Sequence, residues 1–527
     1  MQDLVFIGGG LSGTLTLVHL VRELQARLAT TRSSGRRLRV TMLDRNGAFG
    51  RGIPYARSED SVNLLNNNVS RMNVFDFVRW LGRQEQRWRG MLETQPGNGG
   101  RAWLNRNAAA LAMAERDPAH GLSLYLPRSV YGLFMEDVLR TALDQAERAA
   151  VASVRLVTAE AVSLKREAAD RLRITLRNGD VIRSRRVVLG LGSLPPDPAP
   201  HLETAPGYIH DFSRLCSGTA CRRLLDGALA SQSTLPSAVI IGSNAAAMEA
   251  IHTIRTHPEL FARFSRIVVI SPSGCLPDGR PSRRQPPFKA RHTVGVGACE
   301  RVSADQLFAA LLRDVEEGRL AGYSSLDYSQ PICDGFREVF MGISVVERRR
   351  FVEEYGMRFT ALNRHTPPEY ADAARHLRGA GKLQTLRARV IDVTPPDPHC
   401  LEFSVRAALE DGTETRLRAA VVINCRGSGT LRLTRDQLLR EILGPGSDIA
   451  RSNSTGAGIA VTGDFEASPG MYVVGPLLAG HTTETDHIWN LEDAQRINDL
   501  TQRVAAIIAN HVLNGDRAGR YELAFQN

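Results

Sequence analysis

The chain has 527 residues, 43% hydrophobic and 23% charged, with a formal net charge of +10; it is long enough for two or three domains with substantial cores, and no run of about 18 apolar residues suggests a membrane span. Nearly all the positive charge is arginine, with only Lys165, Lys289 and Lys382 as lysines; it is scattered rather than clustered, which excludes the basic stripe of a nucleic-acid binder and favours anionic cofactors and carboxylate substrates. Seven cysteines without a CxxC pair, and a strand that begins within four residues of the start and leaves no room for a signal peptide, predict reduced thiols in a cytoplasmic protein.

The first predicted strand, Leu4 to Ile7, runs into Gly8-x-Gly10-x-x-Gly13. A helix from Thr14 to Leu28 and a second strand from Leu38 to Leu43 follow, closing on Asp44. This order is that of a dinucleotide site. Gly8 makes the tight turn, Gly10 lets the backbone approach a pyrophosphate, and Gly13 lets helix and strand pack closely. Leu11 and Ser12 complete the turn, and the helix N-terminus offers its free N–H groups to phosphate. Asp44 stands where a carboxylate accepts hydrogen bonds from ribose hydroxyls.

Residues 50–80 are rich in loop signals and include Gly50-Arg51-Gly52-Ile53-Pro54-Tyr55. A short amphipathic helix is predicted over 75–82, an exposed loop over 94–100 and a helix over 134–148. Strands are predicted at 154–157, 161–165 and 172–176, with a hairpin turn at Asn178-Gly179-Asp180. The strand from Val187 then ends at Gly190-Leu191-Gly192.

There the pattern restarts. Ala238 to Ile241 leads into Gly242-Ser243-Asn244-Ala245-Ala246-Ala247, a degraded form of the same glycine loop, with its second strand at 266–271. Ala is tolerated at the third glycine place, and Asn adopts left-handed backbone more readily than most residues. The second strand ends in Ser271 rather than an acid, and Arg280, Arg283 and Arg284 follow. A missing carboxylate with arginines nearby suits the 2′-phosphate of NADPH. Helices are predicted at 304–317, 345–355 and 368–379, and strands at 383–393, 401–407, 420–424 and 471–475. A final helix covers 491–512. The fold expected is α/β, with two Rossmann-like dinucleotide-binding domains and a helical insertion. The second domain (201–395, with the helical insertion) lies within the first (1–200 and 396–527).

The chain resembles the two-dinucleotide-binding-domain flavoproteins. More closely, it is similar to the bacterial FAD/NAD(P)-binding family whose first domain carries a GRGIPYA-type segment. The matching residues are Gly8–Gly13, Phe49–Ala56, Asn63–Asn66 with Arg71-Met72, Pro127-Arg128 with Tyr131-Gly132, Glu347–Phe351, Asn363-Arg364-His365 with Pro367-Pro368, Ile423–Gly427, Gly475–Leu477 and Glu484-Thr485. Some members resemble amine N-oxygenases of natural-product pathways, including those that oxidise the amino group of aspartate to a nitro product. The second loop is also similar to the GxGxSAAE turn of flavin N-hydroxylases, with Ala246 and Glu249 in frame. Two departures stand out: Gly207 to Phe212 only loosely echoes an FxGxxxH fingerprint, and Asn363-Arg364-His365 replaces a His-Arg-His run.

The resemblance implies FAD on the first loop, with Arg51, Gly52 and Tyr55 beside its ribityl chain or ring and Gly475 and Pro476 at the flavin's far end. NADPH on the second loop would deliver hydride. It implies an NADPH- and FAD-dependent monooxygenase that, with molecular oxygen, N-hydroxylates a small, acidic amino acid, on to the nitro level in some members. The alternatives are a flavin dehydrogenase or reductase without oxygen insertion, and a non-catalytic FAD-binding protein. A carboxylate substrate calls for arginine partners; Arg71, Arg291 and Arg364 are candidates, with His365 beside the last. His210, His292 and His481 read as structural as readily as catalytic. Thr482 to His487 reads as loop and cap residues rather than metal ligands. Cys216 and Cys221 are spaced by four residues, against a dithiol relay, and no second pair lies at zinc spacing.

Overall fold

The computed structural model describes residues 1–31, 37–56, 63–72, 74–95, 98–212, 236–282, 285–299, 301–362, 364–396, 402–452, 456–483, 486–491 and 493–513. Arg283, Arg284, Asn363, Glu484, Thr485, Cys216 and Cys221 lie outside them.

Two sheets organise the chain. In the first, β1 (Gln2–Ile7) pairs in parallel with β2 (Leu38–Asp44), and β2 with β3 (Ala152–Thr158). Leu4, Val5 and Phe6 are fully buried. A strand covered on both faces has no polar side to show, hence its unbroken apolar run. β4 (Ala161–Ala168), β5 (Arg171–Leu176) and β6 (Val181–Leu189) form the expected meander, and β6 rejoins β1 in parallel.

The second sheet has the order β12-β11-β10-β9-β8-β13-β7. Its members are β7 (Tyr208–Ile209), β8 (Ser237–Ile241), β9 (Arg266–Ser271), β10 (Leu383–Thr394), β11 (Phe403–Leu409), β12 (Glu414–Ala419) and β13 (Val421–Asn424). It extends past the expected boundary at residue 395: β11 and β12 fold back antiparallel onto β10, and β13 inserts beside β8. The chain returns to the first sheet only with β14 (Glu466–Ser468) and β15 (Met471–Val473), the latter parallel to β6. A two-stranded hairpin of β16 (His481–Thr482) and β17 (His487–Ile488) follows, then the Ala494–Leu513 helix, which packs on the Leu11–Thr31 helix through His19 and Asn498.

Between β9 and β10 stand the Ala304–Leu320, Ser325–Gly342 and Val345–Glu354 helices, with a core of their own around Phe308, Phe336, Phe340 and Phe351. The helix expected at 75–82 begins only at Phe77, because Phe75 and Asp76 are held at φ of 49° and 61°, outside helical space. Among the described residues, no helix is long and apolar enough to cross a membrane.

Candidate active site

The register of β1 places the first glycine loop at the carboxyl edge of its sheet. Ile7 is level with Leu43 and Leu189, so Gly8, Asp44 and Gly190 share that edge. The Gly8 N–H donates to the Leu43 carbonyl at 2.8 Å. Gly8 has φ of +109°, and a Cβ there would lie 2.2 Å from the Gly190 oxygen. One on Gly13 would lie 2.1 Å from the Gly8 oxygen. Asp44 accepts from the Gly9 N–H at 3.2 Å through Oδ2, and from Asn46 and Ala48 N–H through Oδ1. It therefore fixes the loop, with lone-pair capacity left on Oδ2 for a ribose hydroxyl.

The Gly50–Tyr55 segment lies on this loop. The Gly50 N–H donates to the Gly9 carbonyl at 2.8 Å, and a Cβ on Gly52 would come 3.1 Å from the Gly10 Cα. Arg51 is buried and ion-paired with Glu136 of the Arg128–Arg148 helix, so that side chain anchors the segment. Tyr55 packs its ring on Tyr131 at 5.1 Å, and Gly132 is the gap that lets the Tyr55 carbonyl approach. From the far end of the chain Gly475, at φ +76°, closes on the first turn of the Leu11–Thr31 helix: a Cβ there would lie 2.3 Å from Ser12 Oγ. Pro476 continues it into a 3-10 turn. Gly192, at φ +76°, has nothing within 4 Å of its Cβ position and turns the chain away from the same edge.

The second loop repeats the plan. Gly242 donates to the Ile270 carbonyl at 2.8 Å, and at φ +104° its Cβ position lies 2.3 Å from the Cys425 oxygen. Cys425 stands here as Gly190 stands in the first sheet. Asn244 caps the Ala245–Thr256 helix, its side-chain oxygen accepting from the Ala246 and Ala247 N–H groups; Gly10, at the matching position, has no side chain for that task. Ser271 and Ser273 hydroxyls lie 3.2 Å apart, and Ser273 reaches Ser243 at 3.4 Å. A hydroxyl cluster thus replaces the Asp44 carboxylate. Arg280 is paired with Asp372.

A buried polar cluster joins the two units, and sequence reading missed it. Arg128 pairs with Glu249 and donates through Nε to the Leu64 carbonyl at 2.9 Å, while the Leu64 N–H donates to the Tyr370 hydroxyl at 2.6 Å. Burial pushes the Glu249 carboxyl up and Arg128 opposes it. The Asn63–Asn66, Pro127-Arg128 and Pro367-Pro368 segments, and Glu249 of the second helix, all converge here; their place among the residues that carry the family resemblance was the available signal.

The four substrate candidates stand on three separate elements. Arg71 is exposed on a 3-10 turn, where its charge acts on Tyr125 and Cys333. Arg291 is exposed at the start of the Arg291–Val296 helix. Arg364 and His365 are half-buried, and the backbone at His365 pairs with that at Asp278 in an isolated β-bridge. Of the remaining histidines, His292 pairs with Glu317 at 3.2 Å and His210 lies 3.8 Å from Glu203. Thr482 and His487 belong to the β16–β17 hairpin, which corrects their reading as loop and cap: backbone pairing turns both side chains inward. A cavity of about 790 Å³ in the helical insertion, lined by Val294, Cys299, Glu338 and Ser344 among others, takes no residue from either glycine loop.

Residues 5–194 match a family model described as FAD-NAD(P)-binding. This segment is an FAD-NAD(P)-binding domain. An uncharacterized protein of Mycobacterium tuberculosis and one of Mycobacterium bovis are each 28% identical over 517 residues, covering 96% of this chain and 94% of theirs. Among solved structures, an ornithine hydroxylase from Pseudomonas aeruginosa matches with TM-score 0.53 at 13% identity, over 97% of this chain and 99% of that one. The FAD-bound cadaverine monooxygenase of the desferrioxamine pathway from Erwinia amylovora matches with TM-score 0.52 at 14% identity, over 100% and 98%. At these identities the likeness establishes the fold. The FAD-NAD(P)-binding domain fits its cofactor, because each place where a Cβ would obstruct the turn is a glycine and the acid at the end of β2 is present.

Proposed function

We propose that the chain is an NADPH- and FAD-dependent monooxygenase that N-hydroxylates the amino group of a small, acidic amino acid. The observation that carries this is the pair of glycine loops built on one plan with different strand ends. Asp44 suits a bare ribose, whereas the Ser243–Ser271–Ser273 cluster has donors and no carboxylate to repel a 2′-phosphate. In this reading the first sheet holds FAD and the second holds NADPH. Support for the oxygenase class comes from the shared fold with proteins named as an ornithine hydroxylase and a cadaverine monooxygenase.

FAD, when bound, supplies the redox centre for oxygen activation, with hydride from NADPH. The chain's own part is placement and charge. Gly8, Gly10, Gly13 and Asp44 would hold the ADP half, and Gly52 and Gly475 pack against the same loop. The Arg128–Glu249–Tyr370 cluster fixes one unit on the other. A nitrogen is oxidised only as the free base, and neighbouring guanidinium groups disfavour its ammonium form.

The test is anaerobic flavin reduction by NADPH against NADH, then oxygen with and without L-aspartate. Faster reduction by NADPH and a product one oxygen heavier on nitrogen are expected. Consumption of NADPH matched by hydrogen peroxide with every amine assigns a reductase instead, and no reduction by either nucleotide overturns the reading.

A further inference from the structure

The hairpin after Gly475–Leu478 carries polar atoms that neither nucleotide loop uses. Its register sets Thr482 opposite His487 and His481 opposite Ile488, so Thr482 and His487 share one face. That face meets the helical insertion: the His487 ring stands edge-on to Phe340 at 5.0 Å, and Arg348 of the Val345–Glu354 helix reaches His487 Nε2 at 3.3 Å. A guanidinium only donates, so Nε2 holds the lone pair and the proton of the neutral ring sits on Nδ1. Burial, reinforced by Arg348, lowers the His487 pKa to about 4, and the ring is neutral at pH 7.

His487 is 8% exposed. Its Nδ1 and the Thr482 hydroxyl are both buried without a hydrogen-bond partner among the described residues. A buried donor left unpaired forfeits its hydration with nothing in return, and two on one face of one hairpin point to an acceptor that belongs there. The surrounding charge says of what kind. Arg496 donates to the His487 carbonyl at 2.6 Å and lies over Trp489, while the nearby carboxylate, Asp486, is held by Arg503 through bonds of 2.5 and 3.0 Å. The field at the two donors is cationic, which favours an anion.

We propose that Thr482, His487 and Arg348 form the subsite for the carboxylate of the substrate, where the β16–β17 hairpin meets the helical insertion. The proposal rests on the N-oxygenation reading and names the residues that select an acidic substrate. A carboxylate accepts the Thr482 O–H and His487 Nδ1–H while Arg348 balances its charge.

The experiment titrates the FAD-loaded enzyme with L-aspartate, succinate and propylamine, following the flavin difference spectrum and the heat of binding. Aspartate and succinate bind and propylamine binds at least about tenfold more weakly. Thr482→Val and Arg348→Lys each weaken both carboxylates by about tenfold or more, Thr482→Ser restores them, and thermal midpoint and FAD content show that the variants fold. Wild-type affinity for both carboxylates in Thr482→Val and Arg348→Lys overturns the subsite. So does oxidation of a carboxylate-free amine by an enzyme that binds neither dicarboxylate, an outcome that leaves N-oxygenation standing. Carboxylate binding through these residues with no amine oxidised upholds the subsite and removes the N-oxygenation reading.

Discussion

Gly9 and Gly10 of the first loop are matched by Ser243 and Asn244 of the second, and Gly13 by Ala247. The backbone bonds around the two loops are otherwise alike: Gly8 to Leu43 and Gly242 to Ile270, Gly190 to Ile7 and Cys425 to Ile241. What differs is the covering. A Cβ on Gly9 would run into the Phe49 ring at 2.6 Å, and Gly10 faces Gly52. In the second loop the nearest approach to the matching Asn244 from a glycine segment is looser: a Cβ on Gly427 would lie 3.6 Å from the Asn244 amide nitrogen. The glycines are demanded as much by the protein segment packed on the loop as by the nucleotide under it. A covered loop suits a cofactor that stays, and an open one suits a cosubstrate that leaves.

Four experiments break or sharpen this comparison. Gly13→Ala puts a methyl group 2.1 Å from the Gly8 carbonyl, so we expect FAD content, read as flavin absorbance per chain, to fall at least about tenfold. Ala247→Gly at the matching place leaves the NADPH dissociation constant within about twofold of wild type. Next in size is the joint between the loops. Glu249→Leu or Arg128→Met strands the other charge in the interior and costs about 3–5 kcal/mol in chemical denaturation. The double variant recovers most of that loss, and no recovery would mean the pair is not isolated from its neighbours.

Asn244→Ala removes a helix cap worth about 1 kcal/mol. The Michaelis constant for NADPH rises while FAD content stays at the wild-type level; a fall in FAD content would show that the loops are not independent. The smallest effect is one of pH. His487 has a lowered folded pKa of about 4 against an ordinary 6.5, so the unfolded chain binds the extra proton between those values. Its contribution to stability is present above pH 6.5 and is lost as pH falls toward 4. The thermal midpoint of wild type accordingly drops more between pH 7 and 4.5 than that of His487→Gln, and equal slopes would place the lost stability elsewhere.

Much of the first unit was readable, since Gly8 to Gly13 and Asp44 are neighbours on a strand-helix-strand run whose register follows from apolar strands buried on both faces. The second unit was readable as a repeat, but not its width: β11 and β12 alternate like any half-exposed strands and carry no mark of which sheet they join. The Ser325–Gly342 helix was missed because Pro331 and Gly335 interrupt its pattern. The Arg128–Glu249 pair and the Thr482–His487 face were hidden for another reason. An arginine or a histidine looks the same in sequence whether solvent or protein surrounds it, and only burial turns it into a constraint. For Arg71, Arg291 and Arg364, abundance of arginine offered too many equal choices.

Gly475 touching Ser12 has a consequence for how the protein is made. The first glycine loop is synthesised well before β15, the Gly475 turn and the Ala494–Leu513 helix, which complete its surroundings. Contacts of such long sequence separation form late and slowly. During synthesis the β6 edge of the first sheet therefore stays open until β15 arrives to cover it, and the first glycine loop gains its last wall only when the Gly475 turn docks.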